Sequence, residues 1–368
     1  MKVHSFILST LLLIVTSFGC DRVPESAIFY KGNLHTHSYW SDGNGFPGEV
    51  AAWYKDQGYH FLAVTDHNIL QEGEKIVNVR GEEGIVLQEL ESYRSDFEEP
   101  GKFLLIHGEE ISDAAERKPV HLNGINLKKM VPPAKGATVE ECVINNVKAI
   151  REALKESGTP EWVIINHPNF GWALKWTDLA KSGARFFEVF NGHPGVRNYG
   201  DSIRPSTEEM WDQANKWRID NDEPLLLGVA TDDAHHYDTY KVGRANPGRG
   251  WVMVRTGDLA VNTLYEAMVN ANYYCSTGVE LVNFKADHKR IQLWVNPEEG
   301  VEYTTEFVGW LEGSDEPEVL KRVDGTEAAY RLTGKELFVR ARVISSKIKD
   351  NPFAEGDQEM AWLQPVTP

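Results

Sequence analysis

The sequence predicts an α/β fold in which a βα barrel is followed by a small all-β domain. Within residues 26–284, short runs rich in β-branched and aromatic residues alternate with longer segments of helical pattern. Residues 285–368 instead contain short alternating segments separated by Gly, Pro and acidic turns, without helical stretches. The first pattern is typical of βα units around a parallel sheet, and the second of a β-sandwich-like domain.

Eight apolar runs are the candidate strands of the barrel. They span residues 28–34, 61–65, 103–107, 121–126, 162–166, 185–190, 225–230 and 250–255. Because seven or eight such strands are enough to surround a packed interior, they predict a closed or nearly closed barrel.

Helix-start signals lie between these runs. Pro47 stands at the first turn of one predicted helix, where no partner for its missing N–H is needed. Thr138 with Glu141, and Ser206 with Glu209, form capping-box patterns that open two further helices. Helices placed between consecutive strands are what βα units require.

The first 20 residues are typical of a secretory signal peptide, with one early Lys and an apolar run too short to span a membrane comfortably. Their Gly19-Cys20 ending resembles the site at which bacterial lipoproteins are cut and lipidated. An ordinary cleaved signal, in which Cys20 is incidental, is the alternative. Both interpretations predict an exported protein, either periplasmic or attached to a membrane through a lipidated Cys20.

Composition narrows the classes of partner and site. The chain has 38 basic and 55 acidic residues and a net charge of −17, which disfavours binding to a nucleic-acid backbone. A cleft that holds metal ions could still bind a small anion, so a small-molecule substrate is expected. Cys142 and Cys275 are too few for a disulfide framework, and neither lies in a thiol metal motif.

Imidazoles and carboxylates follow one predicted strand after another. His35 and His37 are two positions apart, so both side chains project from the same face of a strand. Barrel active sites gather where the strands end, and mixed nitrogen and oxygen ligands suit Zn, Mn or Fe. The further candidates at such positions are Asp42, Asp66, His67, Glu110, His121, His167, Asp233 and His235.

With these motifs the chain resembles the PHP (polymerase and histidinol phosphatase) superfamily over roughly residues 28–284. The resemblance implies a distorted (β/α)7 barrel, related to the TIM barrel, with two or three divalent ions. The implied ligands are His35, His37, Asp42, His67, Glu110, His121, His167, Asp233 and His235. Residues 338–365 are also similar to the tail of extracytoplasmic PHP proteins related to the carbaryl-type carbamate hydrolases.

Two pairs of adjacent carboxylates leave alternatives open. Either Glu109 or Glu110, and either Asp232 or Asp233, can supply the ligand, because adjacent strand residues point to opposite faces. The register favours Glu110 and Asp233. Asp66 is a candidate catalytic residue, expected to orient His67 or another ligand rather than to bind an ion itself.

Four more residues are candidates for catalysis or substrate binding. His193 is a candidate catalytic residue that could protonate a leaving group or hold a substrate oxygen, although a loop histidine can equally cap a turn. Asn191 is a candidate substrate-binding residue on the same loop. Arg197 and Arg244 could clamp a phosphate, although pairing with surface acids is the commoner role of arginine.

These features predict a hydrolase in which a metal-activated hydroxide attacks the substrate. The superfamily resemblance favours small phosphate esters, and the tail resemblance adds carbamates and carboxylic esters as an alternative. A metal- or glycan-binding lipoprotein without catalysis is a third hypothesis. The sequence has no Gly-rich phosphate loop and no Gly-x-Ser-x-Gly motif, so nucleotide-fuelled and serine-hydrolase functions lose support.

Overall fold

A computed structural model describes residues 28–368 of the protein. The predicted signal peptide and Cys20 lie outside the described residues. Within residues 28–368, no helix is both long and apolar enough to cross a membrane.

The chain forms 18 strands, six α-helices and one short 3-10 helix within the described residues. The helices are α1 (Pro47–Asp56), α2 (Leu90–Phe97), α3 (Val139–Glu156), α4 (Trp176–Lys181), α5 (Thr207–Asp220) and α6 (Val261–Val269), and the 3-10 helix is Phe170–Trp172. The strands up to residue 276 are β1 (Tyr30–Asn33), β2 (Phe61–Val64), β3 (Lys75–Val79), β4 (Glu82–Leu87), β5 (Leu104–Ala115), β6 (Lys118–Ile125), β7 (Val163–Ile165), β8 (Phe186–Asn191), β9 (Leu227–Thr231), β10 (Trp251–Val254) and β11 (Tyr273–Ser276). The remaining strands are β12 (Leu281–Asp287), β13 (Arg290–Val295), β14 (Tyr303–Leu311), β15 (Glu318–Asp324), β16 (Glu327–Arg331), β17 (Glu336–Ile348) and β18 (Gln358–Val366).

The eight predicted strands coincide with β1, β2 and β5–β10, and the three predicted helices with α1, α3 and α5. Pro47 is the first residue of α1. The Thr138 side chain accepts a hydrogen bond from the Glu141 N–H at the start of α3, and Ser206 does the same with the Glu209 N–H at the start of α5. The predicted capping boxes therefore mark true helix ends.

The predicted closed barrel is wrong in one respect, because the strands do not form a complete ring. Thirteen strands form one sheet in the order β15-β14-β17-β18-β11-β10-β1-β2-β5-β6-β7-β8-β9. β10 pairs antiparallel with β1 and occupies the edge that β9 would need for closure. Among the described residues, the segments that follow β1 and β9 pair in a strand-like way only at a single parallel bridge between Thr36 and Ala234.

Four strands after residue 276, namely β14, β15, β17 and β18, continue the barrel sheet, whereas β12, β13 and β16 form a separate three-stranded sheet. β18 pairs with both β17 and β11, and the Gln364 side chain exchanges hydrogen bonds of 2.8 and 3.0 Å with the Gly228 backbone in β9. The Trp362 ring stacks on Phe190 of β8 with centroids 5.9 Å apart. The predicted boundary at residue 284 falls inside β12, which begins at Leu281.

A buried ion-pair group also joins the two parts of the chain. Arg340 of β17 makes two hydrogen bonds to the Asp212 carboxylate, of 2.7 and 2.8 Å, and one of 2.6 Å to Glu208. Both acids lie on α5, and the Arg340 side chain is only 2% exposed. A cleft of about 680 Å³ lies beside this group, and none of the predicted metal ligands lines it.

The two cysteines of the described chain are unpaired. Cys142 lies in α3 and Cys275 in β11, and both are buried. Burial raises the pKa of the Cys142 thiol to about 12, so this side chain is a neutral core residue at physiological pH.

Replacing Arg340 by alanine should lower the free energy of unfolding by about 3–5 kcal/mol, because Asp212 would remain buried without an ion-pair partner and Glu208 would keep only Arg342. Urea denaturation of the full chain measures the loss. Arg151→Ala is the control, since Arg151 and its partner Glu161 are 47% and 39% exposed and should contribute within about 1 kcal/mol. Equal losses for the two variants would contradict the structural role of Arg340.

Candidate metal centre

All nine predicted ligands meet at one end of the parallel strands. His35 and His37 follow β1, His67 follows β2, and His167 follows β7. Their ligand atoms form four overlapping groups in which the atoms lie within 4.8 Å of one another. The groups are His37, Asp42, His67 and His235; His35, Glu110 and His167; His35, His37 and Asp233; and His67, Glu110 and His121.

The bridge between Thr36 and Ala234 brings the first and last of these ligands together. The His37 N–H donates to the Ala234 carbonyl over 3.0 Å, and the Asp233 N–H donates to the His35 carbonyl over 3.1 Å. His35 and His37 flank Thr36, and Asp233 precedes Ala234, so the side chains of these three residues face the same point. Both imidazoles and the Asp233 carboxylate converge there.

Asp233 rather than Asp232 faces this centre. The buried Asp232 carboxylate points away and accepts hydrogen bonds from the backbone N–H groups of Gly248, Arg249 and Gly250, over 2.6 to 2.8 Å. It also accepts one from the Tyr54 hydroxyl over 2.9 Å. Asp232 thus fixes the 248–250 loop beside the site and does not face the ligands.

Glu110 rather than Glu109 faces the centre in the second pair. Glu109 points away and accepts a hydrogen bond of 2.8 Å from the Val131 N–H. Burial raises the pKa of Glu109 to about 7. Oε1 of Glu110 faces His121 Nδ1 at 3.1 Å and His167 Nε2 at 3.2 Å.

The hydrogen bonds of His35 and His37 fix which nitrogen of each ring carries the proton. His35 Nδ1 lies 2.7 Å from the Glu188 carboxylate, which can only accept, so this nitrogen donates. His37 Nδ1 lies 3.3 Å from Ser41 Oγ, whose single hydroxyl proton is donated to Asp66 over 2.6 Å. His37 Nδ1 is therefore also a donor, and the lone pair of each ring is on Nε2.

In the neutral rings these two lone pairs face each other across 3.1 Å, an arrangement that either a shared proton or a bound metal ion between them stabilises. Two imidazole nitrogens bound to one Zn²⁺ at about 2.0–2.1 Å lie roughly 3 Å apart when their bonds make an angle near a right angle. Glu110 Oε2 is buried and lies 3.3 Å from both Nε2 atoms and 2.8 Å from His67 Nδ1, so one carboxylate oxygen faces three imidazoles. The residues present therefore fit divalent ions.

Asp42 and His235 complete the exposed side of the centre. His235 Nε2 lies 3.2 Å from Asp42 Oδ1, and His67 Nε2 lies 3.6 Å from the same atom. The Asp42 side chain is 60% exposed, whereas those of His35, His37 and Glu110 are fully buried. Solvent and substrate therefore reach the centre from the Asp42 side.

In the ion-free protein, the carboxylates of the centre make the neighbouring His67 imidazole hold its proton more tightly. Burial alone would lower the pKa of His67, but the Glu110 carboxylate raises it to about 9. Burial would raise the pKa of Glu110, but the His67, His35 and His121 imidazoles hold it well below its usual range. Asp233 behaves in the same way beside His35. The carboxylates are thus negative at any physiological pH.

Asp66 does not contact the His67 ring, so the first of its two predicted roles is wrong. Its carboxylate accepts hydrogen bonds from the Ser38 N–H, the Ser38 and Ser41 hydroxyls and the Gln71 amide, over 2.6 to 2.9 Å. Through Ser41 it orients His37, which is the second predicted role. His67 Nδ1 instead contacts the Ser112 hydroxyl and lies 2.8 Å from Glu110 Oε2.

His193 is placed as a hydrogen-bond donor. Its Nδ1 accepts from the Gly195 N–H over 3.0 Å, so in the neutral ring the proton is on Nε2. The ring lies 5.4 Å from that of His235. Burial lowers the pKa of His193 to about 4, so a neutral imidazole that holds a substrate oxygen fits better than the predicted proton donor to a leaving group.

Asn191 is not free to bind substrate, contrary to the prediction. Its amide donates to Glu188 over 2.8 Å and to Asp233 over 3.1 Å, and its oxygen accepts from the His193 N–H over 2.8 Å. Arg244 lies 3.9 Å from the Asp238 carboxylate, and Arg197 is exposed on the surface. A phosphate clamp of Arg197 and Arg244 stays a prediction.

Glu188 is the buried residue that the sequence analysis missed. It lies in β8 within the segment Phe-Phe-Glu-Val-Phe-Asn, all of whose residues are buried. An acid inside such an apolar strand was the available signal, because buried carboxylates are rare unless they have partners.

Ten chains of known structure are similar to this one, and three of them serve as examples. No family model and no curated protein matched the sequence. A two-domain protein from Bacteroides vulgatus, described as containing a predicted PHP-like metal-dependent phosphoesterase, shares 16% identity with a TM-score of 0.46, over 93% of this chain and 97% of that one. A candidate metal-dependent phosphoesterase from Bifidobacterium adolescentis shares 14% identity with a TM-score of 0.34, over 64% of this chain and 95% of that one.

The third similar structure is an amidohydrolase from Chromobacterium violaceum with bound sulfate and no metal. It shares 15% identity with a TM-score of 0.31, over 56% of this chain and 87% of that one. With every TM-score below 0.5, these similarities carry no argument about activity, and the function has to be argued from the site.

Ion binding should become stronger as the pH rises, because ions bind the unprotonated imidazoles and must displace protons from them. For His67 this dependence should extend over the whole range below about 9, the pKa of its ring in the ion-free protein. Calorimetric titration with Zn²⁺ in two buffers of different protonation enthalpy should show proton release near neutral pH. Binding that is independent of pH would contradict the tautomers and charges assigned above.

The stability of the ion-free protein should change in the opposite direction. A raised folded-state pKa contributes stability that is complete below about pH 6.5 and is lost as the pH rises through about 9. Thermal unfolding in the presence of a chelator measures this contribution of His67.

Proposed function

We propose that the chain is a metal-dependent hydrolase of the PHP type that acts on small phosphate esters. The observation that carries this proposal is the convergence of the His35 and His37 Nε2 atoms, 3.1 Å apart, beside the buried Glu110 carboxylate. Imidazoles and carboxylates converge in the same way in overlapping groups that suit two or three ions, such as Zn, Mn or Fe.

Bound divalent ions supply a water molecule of lowered pKa and stabilise negative charge on a substrate oxygen. The chain itself holds the ligands rigidly, through Glu188 on His35 and through Ser41 and Asp66 on His37. His193 presents its Nε2 proton to a substrate oxygen that accepts charge during the reaction. None of these roles requires a nucleophilic side chain.

A phosphate ester is the favoured substrate because its several anionic oxygens can meet more than one cation and the His193 donor together. The overall charge of −17 repels such an anion from the rest of the surface, so attraction is confined to the centre. The motif resemblance favours the same class, and carbamates or carboxylic esters are the alternative. We also propose that the protein is exported, on the strength of residues 1–20.

His37→Ala and Asp233→Ala should each lower both ion content and hydrolysis of an aryl phosphate, because each removes a ligand from the most buried group. Metal analysis and parallel assays on aryl phosphate and aryl carbamate, with and without added Zn²⁺ or Mn²⁺, measure the two properties. Hydrolysis of the aryl carbamate without hydrolysis of the aryl phosphate would support the alternative substrate class instead. Unchanged ion content and turnover in both variants would rule out the proposed centre.

His193→Ala should reduce kcat about 100-fold while leaving ion content unchanged, because it removes one donor to the substrate and no ligand. His236→Ala is the matched control, since His236 Nδ1 also accepts a backbone N–H, from Ala245 over 3.2 Å, on the neighbouring loop. A loss of bound ions in His193→Ala, or an equal loss of kcat in the control, would contradict the assigned role.

A further inference from the structure

Four donors converge on the two oxygens of the Glu188 carboxylate, which is fully buried in β8. Oε1 accepts from His35 Nδ1 over 2.7 Å and from the Thr231 hydroxyl over 2.6 Å. Oε2 accepts from the His167 N–H over 2.6 Å and from the Asn191 amide over 2.8 Å. Glu188 belongs to none of the groups of potential ligands, so its role concerns the residues that it touches.

The first contact sets the orientation of His35. By accepting the Nδ1 proton, Glu188 leaves the lone pair of His35 on Nε2, the atom that faces His37 and Glu110. Without this acceptor the proton could occupy Nε2, and the ring could not act as a ligand through that atom.

The second contact concerns the backbone of His167. This residue has a φ of 22°, a conformation that side-chain-bearing residues rarely adopt. Its N–H is held by Glu188 Oε2, and the resulting turn directs His167 Nε2 to within 3.2 Å of Glu110. The carboxylate thus stabilises a backbone geometry that the sequence does not favour by itself.

The third contact reaches Asp233 through one intermediate side chain. The Asn191 amide donates to Glu188 Oε2 and also to Asp233 Oδ2 over 3.1 Å. Ligands that follow β1, β7 and β9 are therefore connected to the same carboxylate, although they lie far apart along the chain.

The negative charge of Glu188 also lies close enough to the metal centre to attract cations bound there. Among the described residues its only salt-bridge partner is His35, and no lysine or arginine lies within 4 Å of it. A buried carboxylate without a basic partner is compensated best by nearby cations. The position directly behind His35 allows this charge to strengthen the binding of ions on the other side of the ring.

We propose that Glu188 is a positioning residue that orients His35, His167 and Asp233 together, and that its geometry and charge set the affinity of the centre for divalent ions. The proposal rests on the metal centre proposed above and assigns to β8 a function that none of the nine ligands reveals.

The test is Glu188→Gln in the full chain. Glutamine has nearly the same size, but its NH₂ group must face two of the four donors whichever way the amide is turned. We expect the dissociation constant for Zn²⁺, measured by competition with a chelating dye, to rise about 10- to 100-fold. The absorption spectrum of bound Co²⁺ should change as well, because the ligands around the ion are displaced.

Two further variants keep the result interpretable. Glu109→Gln removes a neighbouring buried carboxylate whose hydrogen bond goes to Val131, away from the centre, and should leave Zn²⁺ affinity within about threefold of that of the parent. Thr231→Val removes one donor but keeps the Glu188 carboxylate, and should give a smaller loss of affinity in the same direction even if Glu188→Gln folds poorly.

Parental affinity and an unchanged Co²⁺ spectrum in Glu188→Gln would overturn the positioning role while leaving the metal centre intact. An equal loss in Glu109→Gln would also overturn it, because any buried carboxylate would then serve. If neither the parent chain nor His37→Ala binds Zn²⁺, the proposed metal centre is ruled out, and this proposal is ruled out with it.

Discussion

Two backbone hydrogen bonds across the Thr36–Ala234 bridge join the segment after β1 to the segment after β9, and the centre is assembled around them. β10 has taken the neighbouring edge of β1, so these bonds replace the full strand pairing that would close a barrel. Asp232 anchors the same region through Tyr54 and the 248–250 backbone. The geometry of both histidines of the first motif therefore depends on contacts made almost 200 residues away.

The buried acids of this region are neutralised in two distinct ways. Asp66 and Asp232 are surrounded by hydroxyl, amide and backbone donors, which satisfy a carboxylate without a formal positive charge. Glu110 and Asp233 face imidazoles instead. Because an imidazole can be neutral or cationic, this second group exchanges protons for metal ions, whereas the first group is permanently structural.

Much of this arrangement could be predicted from the sequence, because parallel strands deliver the residues at their carboxyl ends to a common edge. That rule located His35, His67 and His167 on one side of the sheet. It could not show that the 250–255 run pairs antiparallel with β1, since an apolar pattern specifies a strand but not its direction. Nor could it reveal Glu188, whose partner His35 is 153 positions earlier in the chain, or the enclosure of Asn191 between two acids.

The pairing of β18 with β11 bears on the order in which the protein is built. Six strands, β12–β17, separate these two neighbours in sequence, so the contact is strongly non-local and cannot form before β18 has been synthesised. Gln364 of β18 also satisfies the backbone of Gly228 in β9, the strand that leads to Asp233 and His235. The last strand of the chain therefore supports the edge that carries two of the predicted ligands, which a nascent chain of the first 280 residues would lack.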